Sequence, residues 1–339
     1  MRIFKLLLIL MVINMIFTTL SACGNNNDNK NDATSTVSNA TSSNDSSKVS
    51  SNVNSSQQTS TIDKAPADYI DTVGGNGYIY KFNDDIFKLD MPPVTSIFFV
   101  KNKNDWYIID ACKETGDIEK YVEPATLKLG INLDNVKGIL ITHNHWDHVD
   151  GLPALAPLCP NATVYGKSSS LKGISSSDIN IMSGGMNIDN LFKVVDIAGH
   201  APDAIGFIDT RTNTLFSGDA IQLYGVSTAG ILIYGGVDNY LISMENLKLE
   251  NIENILASHP YVPNGAFAVG KNQSLKHIED SIECMSELIQ FTSEKYSEGM
   301  TDVTQIKDAF IRKKKTEVKD FPTAGFVEAI KSIIDFYLK

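Results

Sequence analysis

The chain has 339 residues, of which 42% are hydrophobic and 20% charged, and these proportions exclude a wholly disordered protein or one with many membrane spans. Its formal net charge of −11 argues against nucleic acid as the main ligand, because phosphate binding requires clustered Lys and Arg. Four cysteines are too few for a disulfide scaffold, and six histidines are few enough for their positions to be informative.

The first 23 residues have the layout of an export signal. Arg2 and Lys5 precede the apolar run 6–17, whose 12 residues are too few for a permanent membrane-spanning helix of about 20 residues. We therefore predict a secretory signal peptide over residues 1–22. The tetrapeptide Leu20–Cys23 resembles the lipobox of bacterial lipoproteins, which implies lipid on Cys23 and anchoring to the outer face of the cytoplasmic membrane or the cell surface. The alternative is a plain signal peptide with an incidental cysteine.

Residues 23–65 are predicted to be a disordered tether that begins at the lipidated cysteine. Of the 39 residues from 24 to 62, 25 are Ser, Asn or Thr and none is aromatic. Such a segment cannot bury enough apolar area to offset the entropy lost on ordering it. It would therefore connect the lipid flexibly to the folded domain.

Residues 66–339 are predicted to form one α/β domain of layered sheets and helices. Runs of apolar and β-branched residues predict strands at 77–82, 96–101, 106–110, 138–142, 163–165, 192–197, 204–209, 214–217 and 255–257. Helical spacing of apolar residues predicts helices at 116–129 and 239–249, and a helical extension from about 271 with helices at 273–297, 302–312 and 323–338.

Four potential metal ligands follow the predicted strand 138–142 within six residues: His143, His145, Asp147 and His148. Imidazole and carboxylate are usual ligands of zinc. Alternation in an extended loop directs His143 and His145 to the same side, whereas Asp147 and His148 come after the backbone turns. One short loop could therefore serve two metal ions.

Three further candidate ligands, His200, Asp219 and His259, each come just after a predicted strand. Functional loops are found at strand ends, and Gly218 lets the backbone turn and approach closely before Asp219. Five of the six histidines thus belong to one constellation, and its ligand types indicate a metal site.

This order of residues resembles the signature of the metallo-β-lactamase superfamily, His-x-His-x-Asp-His followed by His, Asp and His, over about residues 75–265. The resemblance implies a four-layer αβ/βα sandwich with two metal ions, Zn²⁺ or alternatively Fe or Mn, at one edge of two facing sheets. It implies that one ion is bound by His143, His145 and His200, the other by Asp147, His148 and His259, with Asp219 bridging both. It also implies that Asp110, at the end of the predicted strand 106–110, hydrogen-bonds a ligating histidine and sets its tautomer.

Individual residues narrow the subclass that the resemblance implies. His145 stands where the flavodiiron branch has glutamate, which favours hydrolysis over oxygen reduction. Asp219 stands where one large group of zinc β-lactamases has cysteine, which favours other substrates over β-lactam antibiotics. Three neighbours of the ligands depart from common family patterns, because Asp203, Ser258 and Pro260 occupy positions where glycine is frequent. These departures predict an unusual pocket rim and do not affect metal binding.

The function expected from the sequence is hydrolysis by a hydroxide shared between two zinc ions, directed at an ester, lactone, thioester or amide bond of a small substrate. Asp147 or Asp219 would carry the proton to the leaving group, and the sequence does not choose between them. Two alternatives remain open: a phosphodiesterase of the same superfamily, and a non-catalytic lipoprotein that binds metal or ligand.

Some residues have weaker assignments. Tyr224, Tyr234 and Tyr261 follow ligand motifs and are candidates for contact with substrate. Cys112, Cys159 and Cys284 match no metal motif and are expected to be buried thiols. His277 and the run 312–315 (Arg-Lys-Lys-Lys) are expected to be solvated, and the apolar face of the helix 273–297 to pack in the core. The sequence predicts no oligomeric state.

Overall fold

A computed structural model of the chain describes residues 68–92 and 95–339. The chain divides into two units, 1–62 and 63–339, and the described residues all belong to the second. The predicted signal peptide, Cys23 and the whole of the predicted tether lie outside the described residues, so these remain predictions.

The first sheet has eight strands in chain order, β1 to β8. The pairs from β1 to β5 are antiparallel, and those from β5 to β8 are parallel. The strands are β1 (Asp68–Val73), β2 (Gly77–Lys81), β3 (Ile86–Met91), β4 (Thr95–Asn102), β5 (Asp105–Ile109), β6 (Val136–Leu140), β7 (Thr163–Gly166) and β8 (Ile179–Ile181).

The second sheet has six strands in the spatial order β14-β13-β12-β11-β10-β9, and only β12 and β13 are parallel neighbours. The strands are β9 (Asn187–Ile188), β10 (Phe192–Asp196), β11 (Ile205–Asp209), β12 (Thr214–Gly218), β13 (Asn254–Tyr261) and β14 (Gly265–Val269).

The helices lie outside the two sheets in the chain order α1 to α7. They are α1 (Glu123–Leu129), α2 (Trp146–Val149), α3 (Leu152–Leu158), α4 (Val237–Leu247), α5 (Lys271–Ser297), α6 (Val303–Lys314) and α7 (Val327–Ile333). A π-helical turn, Ile118–Val122, precedes α1, and another, Ile334–Leu338, follows α7.

Three apolar cores separate four layers. Between the sheets, aromatic and aliphatic side chains of both inner faces pack together, and the rings of Phe98 and Phe216 lie 5.2 Å apart. A second core joins the first sheet to α1 and α3, and a third joins the second sheet to α4 to α7. Full burial of each such side chain stabilises the fold by about 1.5–3 kcal/mol. The predicted four-layer αβ/βα architecture is confirmed.

The sequence missed several elements, and polar or helix-breaking residues explain two of them. In β3, Lys88 is 4% exposed and pairs with the half-buried Asp90 at 2.7 Å, so a buried lysine and its partner interrupt the apolar pattern of that strand. In α3, Pro153 and Pro157 are residues that disfavour a helix interior, so this short helix was not predicted. Strand β13 is longer than predicted and contains His259, which was expected to follow it.

Two residues of the helical extension contradict the prediction of solvation, whereas Arg312, Lys313 and Lys315 of the run 312–315 are exposed as expected. His277 is 2% exposed and lies on the buried face of α5, and Lys314 is 5% exposed near the end of α6. Lys314 pairs with Glu287 at 2.9 Å and with Glu317 at 2.8 Å, so its ammonium has carboxylate partners inside the helical layer. The expected core packing of the apolar face of α5 is observed.

Cys112, Cys159 and Cys284 are free and buried, which agrees with the prediction of buried thiols. Burial raises the pKa of the Cys159 and Cys284 thiols to about 12, so both are protonated at neutral pH. Within residues 68–92 and 95–339, no helix has the length and apolar character needed to cross a membrane.

Candidate metal centre

The candidate ligands come together because the strands that precede them end at one edge of the sandwich. In the first sheet, the parallel strands β5 and β6 lead to Asp110 and His143. In the second, β10 leads to His200 and the parallel pair β12 and β13 brings Asp219 and His259 to the same end. Carboxyl ends of parallel strands meet at one sheet edge, so residues distant in sequence become neighbours.

Gly218 allows the two sheets to approach each other at this edge. Its φ of 52° is in the left-handed region, and a Cβ atom at this position would lie 2.5 Å from Oγ1 of Thr142. A backbone hydrogen bond from Ile205 to the Thr142 carbonyl, 2.9 Å long, also joins the sheets here. The expected close approach before Asp219 is therefore present.

Seven side chains form two groups that could each hold a metal ion. The three-histidine group comprises His143, His145 and His200, and the mixed group comprises Asp147, His148, Asp219 and His259. Within each group the potential ligand atoms all lie within 4.8 Å of one another. The structure thus brings together every residue that the sequence proposed as a ligand.

Three ring nitrogens converge in the three-histidine group. Nδ1 of His145 lies 3.1 Å from Nε2 of His143 and 2.7 Å from Nε2 of His200. On the far side of its ring, Nδ1 of His143 lies 3.1 Å from Oγ1 of Thr142, and Nδ1 of His200 lies 2.8 Å from the Leu232 carbonyl. Both outer contacts suit a protonated Nδ1, which leaves Nε2 with a lone pair for a cation.

Asp219 connects the mixed group to the three-histidine group. Its Oδ1 lies 3.3 Å from Nε2 of His148, and its Oδ2 lies 3.3 Å from Nε2 of His259 and 3.6 Å from Nε2 of His200. Oδ2 of Asp147 lies 3.2 Å from Nε2 of His259. Asp219 therefore occupies the position from which one carboxylate can reach two cations.

The donor set fits metal ions. Nε2 of His148 and Oδ1 of Asp219 are buried and have no hydrogen-bond partner among the described residues, a state that costs free energy without a ligand. Imidazole nitrogens and carboxylate oxygens without thiolates are the donors of zinc and related divalent ions. The chain therefore has candidate His/Asp sites for metal cofactors, typically zinc.

Burial and neighbouring carboxylates set opposite protonation tendencies in the two groups. Burial lowers the pKa of His200 to about 4, and burial together with neighbouring histidines lowers the pKa of His143 well below its usual value. Burial also opposes the charged form of His148, but Asp110 and Asp219 outweigh it and raise the pKa of His148. The three-histidine group is thus already neutral and able to bind a cation.

Asp110 holds one ligand in position, as the resemblance implied. It is fully buried, with a φ of 64°, and its Oδ2 lies 2.7 Å from Nδ1 of His148. Its Oδ1 accepts hydrogen bonds from the backbone N–H of Thr142 at 2.8 Å and from Oγ1 of Thr142 at 2.9 Å. Ser258 Oγ lies 3.5 Å from Oδ2, so one of the residues that departs from the family pattern contacts this carboxylate. Asp110 therefore directs Nε2 of His148 toward the mixed group.

Gln222 holds another ligand, and the sequence analysis missed it. Its side chain is 2% exposed, Nε2 lies 2.6 Å from Nδ1 of His200, and Nε2 also donates to the Asp219 carbonyl at 3.1 Å. Its Oε1 accepts a hydrogen bond from the Leu232 N–H at 2.8 Å. A lone glutamine in the apolar segment 220–224 was the signal that could have revealed it.

The three candidate tyrosines have different surroundings. The prediction for Tyr224 is wrong, because it is 8% exposed and its hydroxyl donates to Glu287 at 2.5 Å within the helical layer. Tyr261 is 2% exposed with its ring centroid 6.2 Å from that of His259, and burial and the charge of Asp219 raise its pKa well above the usual value, so its hydroxyl stays protonated beside the mixed group. Tyr234 alone is exposed, at 53%, with its ring centroid 5.4 Å from that of His145.

Two further residues, Asp203 and Trp146, belong to the surroundings of the loop 143–148 that carries the first four candidate ligands. Oδ2 of Asp203 accepts a hydrogen bond from the backbone N–H of Asn144 at 3.1 Å, so this departure from the family pattern ties two ligand loops together. Trp146, which stands between His145 and Asp147 in the chain, is 59% exposed. The sequence analysis did not consider Trp146, although it lies inside the ligand motif.

A sequence profile described as "Metallo-beta-lactamase superfamily" matches residues 91–259. This segment contains every residue of the two candidate ligand groups. Together with the four-layer fold, the match shows that the chain belongs to the metallo-β-lactamase superfamily, and membership supports a metal-dependent hydrolase in general terms.

Among curated relatives, the uncharacterized protein YobT of Bacillus subtilis is 31% identical over 163 residues, which are 41% of this chain and 66% of that protein. The hydroxyacylglutathione hydrolase of Pseudoalteromonas translucida is 37% identical over 95 residues, 26% of this chain and 35% of that enzyme. The hydroxyacylglutathione hydrolase of Jannaschia sp. is 29% identical over 146 residues, which are 42% of this chain and 56% of that enzyme. The chain therefore spans between about a third and two thirds of the length of these relatives.

Solved structures of similar fold include a metallo-β-lactamase from Erythrobacter litoralis, which is 17% identical with a TM-score of 0.48 and aligns with 65% of this chain and 99% of that one. Another is a B3 metallo-β-lactamase with an active-site glutamic acid, 15% identical with a TM-score of 0.48, over 60% and 86% of the two chains. These two likenesses add nothing about the activity of this chain.

Proposed function

We propose that the chain is a dinuclear zinc hydrolase that cleaves an ester, lactone, thioester or amide bond of a small substrate. The observation that carries the proposal is the connection of the two ligand groups through Asp219, whose Oδ1 faces His148 and whose Oδ2 lies between His259 of the mixed group and His200 of the three-histidine group. Two of its relatives are named hydroxyacylglutathione hydrolases, and hydrolysis of an acylglutathione is an activity of this kind. Two divalent ions bound here would lower the pKa of a water molecule between them and polarise the bond to be cleaved.

The residues of the chain then have separate tasks. Asp110 fixes the orientation of His148, and the Leu232 carbonyl accepts from Nδ1 of His200 while Gln222 holds Leu232 through its N–H, so both ligands are preorganised. Preorganised ligands leave little reorganisation to be done during the reaction.

Asp147 is the better placed of the two aspartates to carry a proton to the leaving group. Its side chain is 16% exposed, compared with 9% for Asp219, whose two oxygens face ligand histidines. Burial tends to raise the pKa of Asp147, but His148 and His259 lower it overall, so its carboxylate is ionised and able to accept a proton.

The test is metal analysis of the full-length chain combined with a panel of ester, lactone, thioester, amide and phosphodiester substrates. We expect about two zinc ions per chain and hydrolysis that is lost with His145→Ala. His277→Gln is the matched control, because it removes the sixth histidine, which lies outside both ligand groups. No stoichiometric metal, or unchanged hydrolysis in His145→Ala, would overturn the proposal, and a preference for bis-nitrophenyl phosphate would replace it with a phosphodiesterase.

We also propose that the mature protein is tethered to a membrane through lipid on Cys23. The support is the sequence alone: a basic start, an apolar run, the tetrapeptide Leu20–Cys23 and the Ser/Asn/Thr-rich segment after it. Labelling of expressing bacteria with a radioactive fatty acid should mark the wild-type chain and not Cys23→Ser. Equal labelling of both chains, or of neither, would contradict lipidation at this cysteine.

A further inference from the structure

The loops that carry the ligands contain no lysine or arginine. In the ligand-bearing segments 143–149, 199–204, 219–236 and 258–264, the charged residues other than histidine are Asp147, Asp203 and Asp219. Basic residues in adjacent segments are paired: Lys113 with Glu114 at 2.7 Å, Lys167 with Asp196 at 2.6 Å, and Lys172 with Asp150 at 2.5 Å. The protein therefore offers no unpaired cation in these segments to a negative group on a substrate.

Two aromatic side chains of the ligand loops are exposed, Tyr234, which lies beside the three-histidine group, and Trp146, which directly follows His145 in the chain, and we call them the aromatic rim. Trp146 is 59% and Tyr234 53% exposed, and the Tyr234 ring centroid lies 5.4 Å from that of His145 and 6.0 Å from that of His200. Binding sites combine apolar and aromatic surface with a few polar groups that fix orientation. Large exposed apolar groups next to such polar groups indicate a surface that is covered by a ligand.

The rim continues into a long segment without charge. None of the 17 residues from 220 to 236 is Asp, Glu, Lys, Arg or His, and we call this segment the uncharged loop. It begins directly after Asp219 and contains Tyr234, with half-buried Leu232 two residues earlier. The segment that follows Asp219 is therefore uncharged throughout, and Leu232 and Tyr234 are members of it that have exposed or half-buried side chains close to His200.

The uncharged loop is held at several points, so its surface is preformed. The Tyr234 N–H donates to the His200 carbonyl at 2.9 Å, and the Gly235 N–H donates to the Gly199 carbonyl at 2.8 Å. On its other side, the Phe326 N–H donates to the Ile231 carbonyl at 3.0 Å, which ties the loop to the helical extension. A preformed wall selects among substrates without the cost of ordering a loop.

We infer that the site takes neutral acyl substrates whose part distant from the cleaved bond is aliphatic or aromatic, and disfavours those with a negative charge there. This inference rests on the proposed hydrolase function. A distant carboxylate would lose water against the aromatic rim and find no cation in compensation, whereas an apolar group would gain by leaving water. Acylglutathiones carry such carboxylates, so the chain is expected to differ in substrate from the hydrolases named for them.

The kinetic test compares two esters that differ only at the far end of the acyl chain. The full-length, metal-loaded chain should hydrolyse 4-nitrophenyl hexanoate with a kcat/KM at least tenfold above that for the 4-nitrophenyl monoester of adipic acid, which ends in a carboxylate. Tyr234→Lys should reverse or abolish this preference, because it places a cation in the rim. Tyr234→Ala should lower kcat/KM more for the hexanoate than for 4-nitrophenyl acetate. Tyr69→Ala removes a tyrosine of similar exposure, 56%, on β1 and should change neither ratio.

A binding measurement gives a readout that does not depend on turnover. The compound 4-nitrophenyl hexyl ether has no ester bond and cannot be hydrolysed. It should quench the fluorescence of Trp146 at lower concentration than its carboxylate counterpart, 6-(4-nitrophenoxy)hexanoate. The signal should be lost in Trp146→Phe, since the other tryptophan, Trp106, is 6% exposed. Equal rates on the two long esters, or equal quenching by the ether and its carboxylate, would overturn this inference alone. Failure to hydrolyse every ester, lactone, thioester and amide of the substrate panel would overturn the proposed function and this inference with it.

Discussion

Oδ2 of Asp110 lies 2.7 Å from Nδ1 of His148, and both side chains are fully buried between the sheets. Asp110 comes from the end of β5 and His148 from the helix α2, 38 residues further along the chain. The pairing raises the pKa of His148 against the opposing effect of burial and directs its other nitrogen toward Asp219. One carboxylate outside the ligand set therefore determines how a ligand is presented.

Asp110→Asn should weaken metal binding in the mixed group. The amide has the same shape but removes the charge, and its NH₂ can favour the wrong tautomer of His148. We expect metal affinity or kcat/KM to fall by about 10–100-fold, the range for such supporting residues. Metal analysis and ester hydrolysis measure this, with Asp150→Asn, whose carboxylate pairs with Lys172, as the control. Wild-type metal content and activity in Asp110→Asn would refute the role.

Gln222→Met should weaken the three-histidine group without creating a large cavity. Methionine has a similar volume but cannot donate to the Asp219 carbonyl or accept from the Leu232 N–H, so the backbone that carries the partner of His200 is held less firmly. We expect about tenfold weaker zinc binding in competition with a chromogenic chelator. Gln290→Met, on the exposed side of α5, serves as the control. Equal zinc affinity in both variants would show that Gln222 has no part in ligand positioning.

Removal of metal should lower the thermal stability of the fold as well as any activity. A ligand that binds only the folded state stabilises it by about 2.7 kcal/mol at a hundred times its dissociation constant. Treatment with a chelator should therefore decrease Tm, and added zinc should restore both Tm and hydrolysis. Calorimetry of the chelated and reloaded chain measures the effect. An unchanged Tm in a chain shown to have lost its metal would contradict coupling between the site and the fold.

His277 should make the fold less stable in mild acid. Burial lowers its pKa from 6.5 to about 4, and its Nε2 is buried without a hydrogen-bond partner among the described residues. The unfolded chain therefore binds a proton between about pH 6.5 and pH 4 while the folded chain does not, so stability falls as pH falls through that window. The full effect amounts to about 3 kcal/mol.

Urea unfolding of the wild type and His277→Gln at pH 7 and pH 4.5 isolates this contribution. The variant should lose less stability than the wild type between the two pH values. The other titrating groups are common to both proteins and cancel in the difference. A parallel decrease in the two proteins would contradict the assignment to His277.

Lys314→Met should destabilise the helical extension by about 2 kcal/mol, because it leaves the partly buried Glu287 without its closest cation. Lys313→Met is the matched control. The side chain of Lys313 is 47% exposed and its ammonium lies 4.0 Å from the same carboxylate, so the effect on stability should stay within about 0.5 kcal/mol. Adding Glu287→Gln to Lys314→Met should recover part of the loss. Equal effects of the two lysine substitutions in thermal unfolding would contradict this account.

Local patterns predicted the site better than they predicted the strands around it. The ligand motif after β6 and the later His200, Asp219 and His259 were visible because metal chemistry restricts residue type. Strand β3 was missed because Lys88 is buried in it, and His277 was misassigned because the neighbours of α5 are not visible in a helical pattern. Whether a polar residue is solvated depends on what packs against it, which sequence spacing does not encode.

The sequence by itself determined the layered α/β class and the seven candidate ligands, since these follow from apolar patterns, strand ends and ligand chemistry. The four-layer sandwich and the supporting role of Asp110 were implied by the resemblance to the superfamily. Only the tertiary structure decided which other residues serve the site. In the folded chain, Tyr224 contacts Glu287, Tyr234 lies beside His145, and Gln222 contacts His200. The physical reason is that these contacts form between segments distant in the chain, whose approach is set by the packing of two sheets and the helices behind them.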